Sequence, residues 1–159
     1  MTRTILIDSN IWHYANVEPV ETNYLELHKS AEKFLEDTLS DPEIVIAITS
    51  YQMVEILDLL RKTGVNPDVR KEIFAGFKTD KFKIKVIGLY DIESCLFKSL
   101  VSNIHIYDYL VALPFKGVVE RIYSADSHFQ HQDFTEIAEV INPLSPWILT
   151  EGKKPINFR

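Results

Sequence analysis

Acidic residues follow two of the apolar runs in this sequence. Asp8 comes directly after the run 5–7 (Ile-Leu-Ile), and Asp126 follows a run that ends at 123–124 (Tyr-Ser). If both runs are strands of one parallel sheet, their carboxyl ends lie at the same edge, so the two carboxylates form a candidate pair of metal ligands. The alternative for each aspartate is local, because Asp is also favoured where it initiates a turn or caps a helix.

Asp108 lies in a segment, residues 104–113, that is apolar on nearly every helical face. A helix of this kind is largely buried. An unpaired buried charge costs several kcal/mol, and the nearest lysine or arginine along the chain is Lys116. A cation shared with other carboxylates would satisfy Asp108. A neutral Asp108 with a raised pKa, or a pair with a distant Lys or Arg, is the alternative.

Three further polar residues give weaker indications. Glu55 falls outside the predicted core stripe of its helix, so periodicity alone is compatible with an ordinary solvated side chain. His105, three residues before Asp108, is interpreted as a hydrogen-bonding neighbour rather than a general base. For His128 the two interpretations stay open.

The elements that would position these residues alternate between strand-like and helix-like patterns. The predicted strands are residues 4–7, 43–48, 83–89, 118–124 and 136–141. The predicted helices are residues 20–39, a helix from 49–52 to Gly64, and residues 66–77, 92–101 and 104–113. Thr49 and Gln52 have capping-box spacing, and Asn66 before Pro67 predicts another helix start.

Short apolar strands separated by helices predict an α/β protein with three layers, α/β/α, and a central, mainly parallel sheet of about four to five strands. Right-handed crossovers would bring the carboxyl ends of all strands to one side, which is where this class binds ligands. The five glycines of the chain form neither a dinucleotide fingerprint nor a P-loop. The sequence therefore lacks the glycine-rich motifs that usually indicate a nucleotide cofactor.

The composition limits the class of protein. The 159 residues suffice for one domain, and 46% hydrophobic and 25% charged residues are ordinary values for a globular protein. A formal net charge of −6 argues against a broad basic face, but not against an enzyme that reaches phosphates through a divalent cation. Without a membrane-length apolar run or a signal peptide, we expect a cytoplasmic location. Cys95 is expected to be buried and unreactive.

Four short motifs follow one another along the chain. They are Ile-Leu-Ile-Asp8-Ser-Asn10, Ser50 with Glu55 five residues later, Asp108-Tyr-Leu-Val-Ala112, and Ser124-Ala-Asp126-Ser-His-Phe129. Over about residues 4–141 these motifs resemble those of PIN-domain proteins, particularly the VapC-like toxin ribonucleases. The resemblance predicts a PIN-like nuclease domain in residues 1–141 and a C-terminal extension of the same domain in residues 142–159.

The resemblance also implies roles for individual residues. It implies that four acids bind Mg²⁺ or Mn²⁺ and carry the catalysis: Asp8, Glu55, Asp108 and Asp126. Asn10, Ser124 and His128 would support them. The expected activity is metal-dependent hydrolysis of phosphodiester bonds in single-stranded RNA. Expected partners are RNA, a small antitoxin protein that blocks the crevice, and a second copy of the chain in a homodimer, with no membrane.

Aromatic rings near the motifs are candidates for stacking on RNA bases. They are Trp12, His13, Tyr14, Tyr107 and Tyr109, with core packing preferred for the two tyrosines of the apolar helix.

Two positions depart from the family pattern, and one alternative function remains. Relatives often carry an acidic residue where His128 stands, which leaves the number of ions open, and Ser124 replaces a more usual Thr.

An aspartyl-phosphate phosphatase is excluded, because the position of its second catalytic acid, two residues after the first, is occupied by Asn10. The remaining alternative is an RNA- or protein-binding module of the same fold with little or no turnover.

Overall fold

The computed structural model describes residues 1–17 and 24–148. Five parallel strands form one sheet in these residues: β1 (Arg3–Ile7), β2 (Ile44–Thr49), β3 (Phe82–Lys85), β4 (Arg121–Tyr123) and β5 (Glu139–Ile141). The same residues form these α-helices: α1 (Ser9–Asn16), α2 (Leu25–Ser40), α3 (Ser50–Lys62), α4 (Pro67–Phe77), α5 (Leu89–Ser102), α6 (Ile106–Ala112) and α7 (Gln132–Thr135). The predicted α/β class with a parallel central sheet is confirmed.

The strand order β3-β2-β1-β4-β5 places the first strand at the centre of the sheet. The chain moves outward from β1 through β2 to β3, and then returns to β4 on the other side of β1. Leu6 accordingly pairs with Ala47 of β2 on one side and with Ile122 of β4 on the other. The crevice beyond the carboxyl ends of β1 and β4 is a topological switch point, where open α/β sheets bind their ligands.

The side chains of β1 alternate between two hydrophobic cores, because successive residues of a strand point to opposite faces. Ile5 and Ile7 belong to a core built with buried residues of α1, α2, α3 and α4, whereas Leu6 belongs to one built with α5, α6 and α7. Helices therefore cover both faces of the sheet, which gives the predicted three layers.

Several predicted boundaries differ from the structure. The third strand ends at Lys85 instead of residue 89, and Leu89 already begins α5, where the N–H of Gly88 donates to the Asp91 carboxylate. β4 and β5 are also shorter than predicted. Helix α2 begins at Leu25, and residues 20–23 of the predicted helix lie outside the described residues.

The start of α3 forms half of the predicted capping box. The Thr49 hydroxyl accepts a hydrogen bond from the N–H of Gln52 at 3.1 Å. The Gln52 side chain does not return the bond to Thr49, because its amide nitrogen donates to the carbonyl of Ile7 at the end of β1. Gln52 thereby fixes α3 against the strand that carries Asp8.

None of the helices in residues 1–17 and 24–148 combines the length and the apolar character needed to cross a bilayer. Cys95 is fully buried, as predicted, and burial raises the pKa of its thiol to about 12.

Candidate metal centre

Asp8 lies between the end of β1 and the start of α1, and its two oxygens have different partners. Oδ1 accepts a hydrogen bond from the N–H of Ser9 at 2.8 Å, so Asp8 caps the helix. Oδ2 accepts from the Ser124 hydroxyl at 2.8 Å. The residue is 4% exposed. The capping interpretation of Asp8 is therefore confirmed. Metal binding by Asp8 stays a prediction, although its second oxygen faces the end of β4.

Asp126 occupies the equivalent position after β4. Its Oδ1 accepts from the N–H of His128 at 2.9 Å, which caps the short 3₁₀ turn Ser127–Gln130. The N–H of Asp126 donates to the Ser124 hydroxyl at 3.0 Å. Ser124 thus connects the Asp8 carboxylate to the backbone of Asp126, and all three residues are buried.

A segment after β5 holds the backbone around Asp126 in place. Ile148 donates its N–H to the carbonyl of Ala125 and accepts from the N–H of Ser127, both at 2.7 Å. Its side chain is 2% exposed and belongs to the same core as Ile5 and Ile7. Assignment of residues 142–159 as an extension of the domain stays a prediction, but residues 144 and 148 do pack into this core.

Asp108 lies in the first turn of α6 and is buried, as its apolar helix predicted. Its Oδ2 lies 3.0 Å from Nδ1 of His128 and 3.4 Å from Nε2 of His105. His105 is therefore a neighbour of Asp108, as interpreted from the sequence. The partners of Asp108 that the structure shows are these two histidines, and not a distant Lys or Arg.

The acids predicted from the motifs come together in one place. Nδ1 of His128 lies 3.0 Å from Asp108 Oδ2 and 3.7 Å from Asp126 Oδ1, so these two carboxylates flank a single atom. Ser124 brings Asp8 to the same place. Glu55, on α3, is half-buried instead of solvated, and its charge acts on Asp8. Asn10 is half-buried in the first turn of α1.

Burial and mutual repulsion control the electrostatics of the cluster. Burial raises the pKa of Asp8 well above its ordinary value, and the negative charges of Asp108, Asp126 and Glu55 raise it further. The hydrogen bond from Ser124 lowers the pKa and so opposes both effects. Burial also raises the pKa of Asp108, against the lowering effect of the hydrogen bond from His128. Several oxygen donors that repel one another in a buried crevice fit a divalent cation, whose charge would relieve the repulsion.

Comparison with known proteins identifies the fold. Neither models of known protein families nor curated proteins match the sequence. Among solved structures, the chain matches VapC20 of Mycobacterium tuberculosis, a toxin that cleaves the sarcin-ricin loop, with a TM-score of 0.62 and 16% sequence identity over 83% of this chain and 97% of that chain. The fold is that of the VapC toxins.

Two complexes support the same VapC fold. VapBC2 of Rickettsia felis, bound to a DNA fragment from its promoter, matches with a TM-score of 0.55 and 15% identity over 87% of this chain and 98% of that chain. A toxin–antitoxin complex from Klebsiella pneumoniae matches with a TM-score of 0.52 and 17% identity over 87% and 97%. At these identities, the likeness shows the fold alone.

For the aromatic residues near the crevice of this VapC fold, the structure contradicts part of the predicted assignment to base stacking or core packing. Trp12 is buried in the core against Phe77 and Phe82 and is therefore not a stacking surface at the crevice. Tyr109 is buried as predicted, but Tyr107 is 54% exposed and lies parallel to Tyr51 at 5.6 Å. The preference for core packing was wrong for Tyr107, because this face of α6 is turned towards solvent.

His13 and Tyr14 of α1 are half-buried. Burial raises the pKa of Tyr14, and the charges of Asp8 and Asp126 add to this effect. Tyr14 therefore lies within the electrostatic reach of the acidic cluster, in agreement with a position near the opening of the crevice.

Tyr51 is a site residue that sequence reasoning missed. It lies one helical turn before Glu55 on α3, and its hydroxyl hydrogen bond with Glu55 contributes, after burial, to raising the pKa of Tyr51. The spacing of four residues between an aromatic hydroxyl and a carboxylate could have indicated this contact.

Proposed function

We propose that this protein is a metal-dependent ribonuclease that hydrolyses phosphodiester bonds of single-stranded RNA. The observation that carries the proposal is the convergence of four carboxylates at the switch point of the sheet, from four separate places in the chain: Asp8, Glu55, Asp108 and Asp126. The fold shared with a toxin that cleaves RNA in the sarcin-ricin loop supports the substrate class.

Asp8, Asp108 and Asp126, together with Glu55, would hold Mg²⁺ or Mn²⁺. A divalent ion at such a site lowers the pKa of a bound water and neutralises charge on phosphate oxygens. The protein's contribution is to preorganise the ligands. Ser124 and the N–H of Ser9 fix both oxygens of Asp8, while the N–H of His128 fixes one oxygen of Asp126. Because these donors are already in place, little reorganisation is required when RNA binds.

The exposed ring of Tyr107 gives the crevice a surface for a base. Tyr107 lies next to Asp108 in sequence, and the parallel ring of Tyr51 packs against one face of its ring. Glu55 in turn acts on the Tyr51 hydroxyl and contributes, after burial, to raising its pKa. A base stacked on Tyr107 would therefore be positioned relative to two of the proposed ligands.

We further propose that the protein is the toxin of a toxin–antitoxin pair in the cytoplasm. RNA, a small antitoxin and a second copy of the chain are its proposed partners. The support comes from the matched complexes, which are VapBC2 bound to promoter DNA and a toxin–antitoxin complex.

The test compares wild type with Asp8→Asn on labelled single-stranded RNA in Mn²⁺, in Mg²⁺ and in EDTA. We expect cleavage only by wild type with a divalent ion, and a loss of at least about 100-fold in the variant. Asp37→Asn, on the exposed side of α2, is the matched control and should cleave normally. Equal cleavage by wild type and Asp8→Asn would mean a contaminating nuclease. Cleavage by neither, with RNA binding retained, would favour a binding module.

A further inference from the structure

The crevice holds two imidazoles and a carboxylate within reach of one ion. His105 precedes α6, Asp108 lies in its first turn, and His128 lies in the 3₁₀ turn after β4. One donor atom from each residue can be chosen so that all three lie within 4.8 Å of one another. We propose that these residues form a two-histidine, one-carboxylate site that binds a transition-metal ion, with Zn²⁺ as the representative, in preference to Mg²⁺.

The distances are close to those of a filled site. In a tetrahedral zinc site with bonds of about 2.0–2.1 Å, neighbouring ligand atoms lie about 3.4 Å apart. Asp108 Oδ2 lies 3.4 Å from His105 Nε2 and 3.0 Å from His128 Nδ1. The two imidazole rings have centroids 5.5 Å apart and are inclined at 75°. Small rotations of the two rings would therefore complete the ligand set without movement of the backbone.

Burial is suited to an ion that keeps one open position. The side chains of Asp108 and His128 are 11% and 14% exposed, and that of His105 is 28% exposed. Asp126 Oδ1 lies 3.7 Å from Nδ1 of His128, on the inner side of the site. Three protein ligands with a solvent-accessible fourth position are the usual arrangement of a catalytic zinc ion.

The ligand types determine which ion is preferred. Mg²⁺ binds oxygen ligands and retains much of its water, so an imidazole is a poor ligand for it. Zn²⁺ and neighbouring transition ions bind imidazole nitrogen well, and their affinities follow the Irving–Williams order. Asp108 would then be shared between this site and the carboxylate cluster, so the inference deepens the proposed function. A role of this site in RNA cleavage rests on the proposed ribonuclease function, whereas the binding of Zn²⁺ does not.

The experiment measures metal binding without RNA. Full-length wild type would be titrated with Zn²⁺ and Mg²⁺ by calorimetry, and X-ray absorption of the Zn²⁺ complex would count imidazole ligands. We expect one Zn²⁺ bound at least about 100-fold more tightly than Mg²⁺, with two imidazoles in its shell. His105→Gln and His128→Gln, which can still donate a hydrogen bond to Asp108, should each weaken Zn²⁺ binding at least about tenfold.

Two further variants sharpen the test. His131→Gln is the matched control, because His131 is 42% exposed and contacts Asp133 instead of the cluster, and it should bind Zn²⁺ like wild type. His128→Asp should shift the preference towards Mg²⁺, because it replaces a nitrogen donor by oxygen. Circular dichroism would establish that each variant is folded.

The possible outcomes separate the two proposals. Zn²⁺ binding no tighter than Mg²⁺ binding, a Zn²⁺ shell without imidazole, or unchanged affinity in both folded His→Gln variants would overturn this inference. Unchanged Zn²⁺ affinity in both folded variants of a protein that cleaves RNA in Mg²⁺ would overturn the inference while supporting the ribonuclease. Tight Zn²⁺ binding through two imidazoles in a protein that cleaves no RNA would support the inference and overturn the ribonuclease.

Discussion

The Asp8 carboxylate shows how one side chain satisfies a local and a distant requirement together. Asx capping of α1 uses Oδ1, and the bond from Ser124 uses Oδ2. Sequence reasoning treated helix capping and metal binding as alternatives for this residue. They are compatible because a carboxylate has two oxygens, each able to accept more than one hydrogen bond.

Asp8→Asn should make the stability of the metal-free protein less dependent on pH. Burial and the neighbouring charges raise the pKa of Asp8 above its ordinary 3.8, so the folded state binds more protons than the unfolded state above about pH 4. The free energy of unfolding of wild type therefore falls as pH rises from about 4 through the raised pKa. Urea unfolding in EDTA between about pH 4 and 8 should show a flatter curve for the variant. Parallel curves would contradict the prediction.

Addition of a divalent ion should reverse this loss at neutral pH, because the ion binds the folded protein and not the unfolded chain. The increase in melting temperature with Mn²⁺ should be larger for wild type than for Asp8→Asn. An equal increase in both proteins would place the bound ion away from Asp8.

Tyr107→Ala should raise KM for single-stranded RNA with little change in kcat, because the proposed role of the exposed ring is to stack on a base and not to take part in the reaction. Stacking on an aromatic ring is worth about 1–3 kcal/mol per base, so an increase in KM of roughly tenfold is expected. Tyr107→Phe keeps the ring and should behave like wild type. Steady-state kinetics on a short RNA measures both constants, and a loss in kcat alone would contradict the role.

At the scale of elements, the hydroxyl of Tyr109 connects three helices. It donates a hydrogen bond to Asp133 of α7 at 2.7 Å and lies 2.6 Å from the Ser102 hydroxyl at the end of α5. Lys98 of α5 reaches the other oxygen of Asp133 at 3.5 Å. The connection lies on the face of the sheet built with α5, α6 and α7, and it orients the helix that carries Asp108.

Tyr109→Phe should lower the free energy of unfolding by about 1–2 kcal/mol, since it leaves two half-buried polar partners, Ser102 and Asp133, without the shared hydroxyl. Denaturant unfolding would measure the loss. RNA cleavage at a temperature where the variant is folded should remain near the wild-type rate, because Tyr109 contacts none of the proposed ligands in the described hydrogen bonds. Tyr90→Phe, at an exposed position on α5, is the matched control and should not change stability.

The elements were predictable in type but not in length. The apolar run 83–89 suggested a strand of seven residues, yet β3 ends at Lys85, which pairs with the last residue of β2, Thr49. A strand continues only while its neighbour supplies hydrogen-bonding partners, and the sequence of one strand does not contain that information. Capping residues such as Asn66 act within a few positions, and for this reason the start of α4 could be predicted.

At the scale of the whole molecule, the net charge predicts a shallow dependence of RNA cleavage on salt. A protein with a charge of −6 that reaches RNA through a bound cation neutralises few phosphates with its own side chains. We expect kcat/KM to fall by less than roughly tenfold between about 50 and 200 mM monovalent salt. The measurement is a salt titration at constant divalent ion concentration. A steeper fall would reveal a basic RNA-binding surface.

The convergence of distant residues was predictable only where topology determines it. Asp8 and Asp126 follow parallel strands, so their meeting could be expected before the structure. The approach of Glu55 to within electrostatic reach of Asp8 depends on the packing of α3 against the end of β1, and periodicity gave no indication of it. The meeting of His128 with Asp108, twenty residues earlier, depends on how the 3₁₀ turn after β4 faces α6.

The hydrogen bond between Ser124 and Asp8 spans 116 residues of sequence, and this separation sets an order of events during synthesis. At roughly 5–20 residues per second, a ribosome adds Ser124 about 6–23 s after Asp8. Until then the nascent chain lacks Ser124 and Asp126, and the backbone hydrogen bonds of Ile148 with Ala125 and Ser127 form later still. If the protein cleaves RNA, the ribosome that makes it is not exposed to that activity until most of the chain has been translated.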